Sequence, residues 1–247
     1  MKLPTGPGTP VRDGRDAVAG ATAACRAVST ITAEIAVSGS VDGQRLRARI
    51  AAALAPPASA RLEAVAPFGA PIFIFVAVND DATLLLSRED RVLEHGRSGA
   101  VLQALAGVPL DAAGLRQAVI GCAPLTADAA RATQAGADWR IVPDGSTELY
   151  LHREKSKARW RLVAAVHRGG AGGDWRAEYS AFQPNGLPQS IRFASSARDR
   201  FDLRLTLSQV DINPTLAPEV FRVQVPRTAE PLTLNELKNA RPGVRKN

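Results

Sequence analysis

Residues 31–50 read Ile31-Thr32-Ala33-Glu34-Ile35-Ala36-Val37-Ser38-Gly39-Ser40-Val41-Asp42-Gly43-Gln44-Arg45-Leu46-Arg47-Ala48-Arg49-Ile50, and this stretch decides the fold. Ile31, Ala33, Ile35 and Val37 alternate with Thr32, Glu34, Ala36 and Ser38. A period of two puts the first set on one face of a strand and the second on the other. Asp42-Gly43 is a strong hairpin signal, because both central positions of a type I′ turn require positive φ. On the return, Leu46, Ala48 and Ile50 alternate with Arg45, Arg47 and Arg49. The pattern is an antiparallel sheet with one oily face and one arginine face.

Downstream, the same signs predict strands at 60–65, 72–78, 83–87 and 91–94. They resume at 139–142, 147–153, 158–166, 175–182, 188–195 and 201–210, with one more at 220–225. Turn chemistry separates them: Asn79-Asp80-Asp81, Pro143-Asp144-Gly145, the glycine cluster at 169–173, and Pro184-Asn185-Gly186. Sequential strands joined by short turns form a meander. Upstream, Val11 to Ala27 carries apolar residues at helical spacing and predicts a helix. Between the two runs of strands, Ser98 and Asp111 can each cap a short apolar helix, ended by Gly107 and Gly121, and such a pair reads as a lid. Thr233-Leu234-Asn235-Glu236 is a capping box that opens a terminal helix. The expected fold is mainly β: an antiparallel incomplete barrel of about 11 strands with an N-terminal helix and a helical lid. Residues 1–10 read as a flexible tether, 11–226 as one domain, and 227–247 as a tail.

At 247 residues with 45% hydrophobic content the chain can build a full core, and aliphatic residues must fill it, since aromatics make up only 5%. The net charge of +7 permits an anionic partner. The arginines alternate with apolar residues and form no basic run, so they read as a solvated sheet face and argue against nucleic acid. No segment is long and apolar enough for a membrane span, and no basic-then-apolar leader opens the sequence. The protein is therefore either cytoplasmic or lacks its targeting segment in this sequence. Cys25 and Cys122 match no metal spacing. They are either two buried thiols or a disulfide, and the second requires an oxidising compartment.

The search for catalysis finds nothing that converges. His95, His152 and His167 form no HExxH and read as surface residues. There is no GxSxG, no P-loop and no dinucleotide fingerprint. Glu89-Asp90 and Asp80-Asp81 are turn carboxylates. The expectation is no enzyme, no metal and no cofactor. A rolled meander with one polar face must cover the other, and small inward residues such as Ala33, Ala48, Ala52 and Ala64 favour an open apolar cavity over an interior filled by side chains. Its expected lining is Ile35, Leu46, Ile50, Leu62, Ile74, Leu102, Leu115, Leu149, Trp160, Ile191 and Leu205.

Two segments carry a resemblance. Arg61-Leu62-Glu63-Ala64-Val65-Ala66-Pro67-Phe68-Gly69 is similar to the strand and loop of the LolA/LolB-like lipoprotein localisation family, in its LolB branch. Leu105-Ala106-Gly107-Val108-Pro109-Leu110, followed by Gly114 to Gly121, resembles that family's lid. The resemblance covers roughly residues 30–210. It implies a monomer at the periplasmic face of the outer membrane, lipid-anchored in the native precursor through a Cys absent from this sequence. It also implies acylated lipoproteins as cargo, a periplasmic lipoprotein carrier as donor and the inner leaflet of the outer membrane as acceptor. By motif match, Pro67, Phe68 and Gly69 are the membrane-insertion loop. A disulfide between Cys25 and Cys122 would limit lid movement. The tail after Leu216 departs from the family pattern and leaves room for a carrier of another lipid or glycolipid. A structural envelope protein without a ligand is the third reading.

Overall fold

The computed structural model describes residues 2–66, 69–122, 128–153, 159–170, 173–197 and 200–240. In chain order, β1 (Thr9–Pro10) precedes α1 (Gly14–Arg26). Then come β2 (Ile31–Val41), β3 (Gln44–Ala55), β4 (Ser59–Val65), β5 (Ile74–Val78), β6 (Asp81–Leu86) and β7 (Arg91–Arg97). The helices α2 (Ser98–Ala106) and α3 (Ala112–Ile120) follow. The second run is β8 (Thr133–Gln134), β9 (Trp139–Asp144), β10 (Thr147–Arg153), β11 (Trp160–Gly170), β12 (Gly173–Phe182), β13 (Pro188–Ser195) and β14 (Phe201–Ile212). β15 (Glu230–Pro231) and α4 (Leu234–Ala240) end it. The predicted mainly-β antiparallel meander, N-terminal helix and two lid helices are all present. No helix among the described residues is long and apolar enough to cross a membrane.

The chain divides into two compact units, each made of two segments. One comprises residues 1–27 and 117–198, the other 28–116 and 199–247. The reason lies in β14. It pairs with β2 from Phe201↔Val41 to Ile212↔Ile31, which ties the end of the chain to the first meander.

In the second unit the ladder runs β14-β2-β3-β4-β5-β6-β7-β15, antiparallel except for β15 on β7. The Asp42-Gly43 turn has the positive φ expected at both positions, +46° and +73°, and hands Val41 directly to Gln44. Gly39 is needed for a different reason. A Cβ there would run into the backbone carbonyl of Asp202, so only glycine lets β14 approach.

The lid helix shows how far this ladder curls. α2 leaves the end of β7 and stops at Gly107, whose left-handed cap (φ +73°) donates its N–H to the Gln103 carbonyl. A methyl added at Gly107 would stand 2.9 Å from Cγ1 of Val41, at the far end of β2. On a flat sheet these strands are five spacings apart, about 24 Å, with a further offset of about 33 Å along the strand. A helix the length of α2 covers about 14 Å. Only a rolled ladder with tilted strands brings its ends to both places. Inside the roll α2 buries Val101, Leu102 and Ala104.

Two sequence expectations at the ends differ. Residues 220–225 form no strand. Pro218–Phe221 makes a 3-10 turn instead, and Arg61 donates to the Val220 and Arg222 carbonyls beyond the ladder. The capping box is as expected: Thr233 N–H donates to Glu236, and Glu236 N–H donates to the Thr233 hydroxyl. It starts α4, which buries Leu237 and packs on α2. Ser98 opens α2 without capping it, since its hydroxyl bonds Asp80. Asp111 does cap α3, accepting from Gly114 N–H at 2.7 Å.

In the first unit the ladder runs β1-β8-β9-β10-β11-β12-β13. The expected tether is partly built in: Thr9 and Pro10 pair with β8, and Leu3 packs on Tyr150, Val163, Ala164 and Val166. α1 lies against β9, β10 and β11. Cys25 near its end is disulfide-bonded to Cys122 at a Cα separation of 5.5 Å, which resolves the two readings of the thiols. Of the three histidines read as surface residues, His95 is exposed, while His167 and His152 are half-buried. His167 stacks on Trp175 at 3.9 Å between ring centroids, and His152 lies against Trp139.

Two outcomes follow from this unit. The bridge closes a loop of 97 residues, so reduction should remove up to about 4.7 kcal/mol in the chain-entropy account, measured by denaturant unfolding with and without reductant. Burial pushes the His167 imidazole down to about 4 from its ordinary 6.5. The unfolded chain then takes up the proton first, so stability is full above pH 6.5 and falls as pH drops toward 4. Thermal melts across that window should show the slope, and His167→Gln should flatten it.

Candidate functional site

The apolar face of the second unit can be followed strand by strand through the register. Leu207, Ile35, Ile50 and Ala64 form one row across β14, β2, β3 and β4. Leu205, Val37 and Ala48 form the next, and Leu46 faces Gly39 in the one after. In the other direction Ala33, Ala52 and Leu62 lead to Phe75 and Leu84. Five of the predicted lining residues (Ile35, Leu46, Ile50, Leu62 and Leu205) thus share one face, with Leu102 on the helix that crosses it. Leu115 sits half-buried on α3.

Ile74 does not belong with them. It pairs with Glu63, so it projects from the opposite face, and Phe75 takes the expected position. The run 72–78 is apolar throughout, so alternation could not tell its two sides apart. Only the ladder does.

The face is not uniformly covered. Ile35, Ile50 and Leu205 are buried, whereas Val37, Leu46, Ala48 and Leu62 on the same inner side are only half-buried. On the other side of the same strands Arg45, Arg47, Arg49 and Arg204 are exposed. At one end of the ladder, the β4–β5 connection lies on the apolar run from Ala64 to Val78. Pro67 and Phe68 lie outside the described residues. Gly69 is exposed with φ +81°, and Val65 at the loop entry is 49% exposed.

The remaining predicted residues, Leu149, Trp160 and Ile191, lie in the first unit. All three are buried, and they share the ladder face on which α1 packs. Sequence reasoning missed what surrounds Trp160. The guanidinium groups of Arg140 and Arg153 sit 4.7 Å and 5.0 Å from its ring centroid. Arg140 is itself buried. It donates through Nε and Nη2 to both Asp13 oxygens at 2.7 Å, and through Nη1 to the Trp139 carbonyl at 2.9 Å. Asp13 precedes α1 without capping it, because its carboxylate is committed to Arg140. Hydrogen bonds from Arg140 hold the Asp13 carboxyl below the usual carboxylate range. Nothing local marks this pair, since its members are 127 positions apart. Among the described residues no group of three or more His, Cys, Asp or Glu could hold a metal ion.

No protein-family model matches the chain, and no curated protein matches it in sequence. Solved structures do match. A LolA superfamily protein from Nitrosomonas europaea superposes with a TM-score of 0.58 at 10% identity, over 85% of this chain and 97% of that one. A DUF1329 family protein from Desulfovibrio piger gives 0.52 at 12% identity, over 87% and 98%. The likeness is one of fold alone.

The Arg140–Asp13 pair gives a direct check on the first unit. Asp13→Ala leaves a buried guanidinium without its carboxylate and should cost about 3 kcal/mol in denaturant unfolding. Replacing both partners by apolar residues (Asp13→Ala with Arg140→Met) should recover much of that loss.

Proposed function

We propose that this protein is a non-enzymatic lipid carrier of the cell envelope, which takes the acyl chains of lipoproteins against the rolled apolar face of its second unit and hands them to the outer membrane. The observation that carries the reading is the half-open state of Val37, Leu46, Ala48 and Leu62 on the inner side of the roll. Aliphatic side chains in that position are normally packed shut. Here they offer a surface on which each methylene of a hydrocarbon tail gains about 0.8 kcal/mol. No strong polar anchor is needed, and release into a bilayer exchanges hydrocarbon for hydrocarbon.

The fold held in common with a LolA superfamily protein supports the same reading. So does the Cys25–Cys122 bridge, which belongs in an oxidising compartment outside the cytoplasm. In this proposal Ile35, Leu46, Ile50, Leu62, Leu102 and Leu205 line the lipid site. The loop around Pro67, Phe68 and Gly69 enters the acceptor membrane, a periplasmic carrier is the donor, and acylated lipoproteins are the cargo.

A fluorescent fatty acid should bind saturably and be displaced by an acylated lipoprotein. Leu46→Glu with Leu62→Glu should weaken that binding at least tenfold with little loss of stability, because both side chains are half-exposed. Phe68→Glu should leave uptake intact and abolish delivery into vesicles. Absence of saturable binding by the wild-type protein would remove the carrier reading.

A further inference from the structure

The outer face of the second unit holds four arginines that the lipid site does not use. Arg45 faces Ser40, Arg47 faces Ser38, and Arg49 faces Ala36 across β2–β3, while Arg204 on β14 faces Ser38 from the other side. Directly opposed residues in a ladder point the same way, so all four leave one side of the sheet. All four are exposed, and among the described residues none of them forms an ion pair. In the first unit exposed Arg168 pairs with Glu148 and Asp174, and half-buried Arg176 with Glu178. Three carboxylates share this side of the sheet: Asp202 faces Ser40, Glu34 faces Ala51, and Glu63 pairs with Arg61, while Asp202 and the turn residue Asp42 each have an interaction of their own.

The patch adjoins exposed apolar chain. Arg49 is directly opposite Val65, which is 49% exposed and begins the β4–β5 connection. From Ala64 to Val78 there is no polar side chain at all. In the meander the β2–β3 turn and the β4–β5 connection fall at the same end of the ladder, so the arginines climb toward the apolar loop. An anionic polymer would match the guanidinium groups and gain nothing from the loop. A bilayer with anionic headgroups meets both, taking phosphates on the arginines and apolar residues below them.

We propose that Arg45, Arg47, Arg49 and Arg204 form a docking surface for an anionic phospholipid bilayer, set beside exposed Val65 so that the arginines take the headgroup phosphates and apolar chain lies below them. This surface rests on the membrane step of the function proposed above and adds the lipid class that step prefers. An arginine near an anionic surface is worth about fivefold in partitioning.

Flotation with vesicles of phosphatidylethanolamine, with and without phosphatidylglycerol, tests it. The wild-type protein should float with the phosphatidylglycerol vesicles and lose that binding as salt rises. The variant carrying Arg45→Gln, Arg47→Gln, Arg49→Gln and Arg204→Gln should bind them about six-hundredfold less, with an unchanged near-ultraviolet circular dichroism spectrum. Arg168→Gln with Arg176→Gln should bind as wild type. Equal binding by the fourfold variant, equal binding to both vesicle types, salt-independent binding, or no binding at all would each overturn the docking surface. Fatty-acid uptake measured on the same proteins separates the two ideas. Normal uptake beside an unaffected vesicle profile removes only the arginine surface, and lost wild-type uptake removes the carrier reading.

Discussion

The register between β2 and β3 is the constraint on which the second unit depends. Asp42-Gly43 joins Val41 to Gln44 with no residue to spare, so every pair below the turn follows: Leu46 with Gly39, Ala48 with Val37, Ile50 with Ile35. A slip of one residue would carry the arginines inside and the aliphatic residues out. β14 reads the same register from the other side, and Gly39 allows its approach. Once these three strands are set, the oily face has one direction, and α2 is the element that crosses it.

One-sidedness then does two jobs. Inside, aliphatic residues of modest size leave Leu46 and Leu62 half-covered. Outside, the alternate positions are free to carry charge, and among the described residues the arginines at four of them form no ion pair. The same period of two therefore supplies an apolar surface and a basic one on the two sides of a single sheet.

The first unit is organised for permanence. α1 is held by the disulfide at one end and by the Asp13–Arg140 pair at the other, with Trp160 between guanidinium groups beneath it. A buried ion pair contributes little net stability against an apolar alternative, yet breaking it is costly, so it specifies where the helix sits more than it adds to the total. The aliphatic residues of this unit that the sequence marks as cavity lining, Leu149 and Ile191, are buried beside it.

Alternation, turn chemistry and capping are local, so the chain announces them unaided: the Asp-Gly hairpin, the strands of both runs other than the one expected at 220–225, the Asp111 cap and the Thr233–Glu236 box stand where the residues place them. The shared face of Ile35, Leu46, Ile50, Leu62 and Leu205 was legible for the same reason. What needed the folded molecule was everything set by contacts remote in sequence. Ile74 was misassigned to the inner face because an apolar run shows no sidedness until Glu63 pairs with it. The division into two units follows from β14 returning to β2, and the Asp13–Arg140 pair joins positions that no local pattern connects. Covalent neighbours and short periodicities are written in the chain, whereas the partner across the sheet, and hence which side of a featureless strand faces inward, exists only once the strands have met.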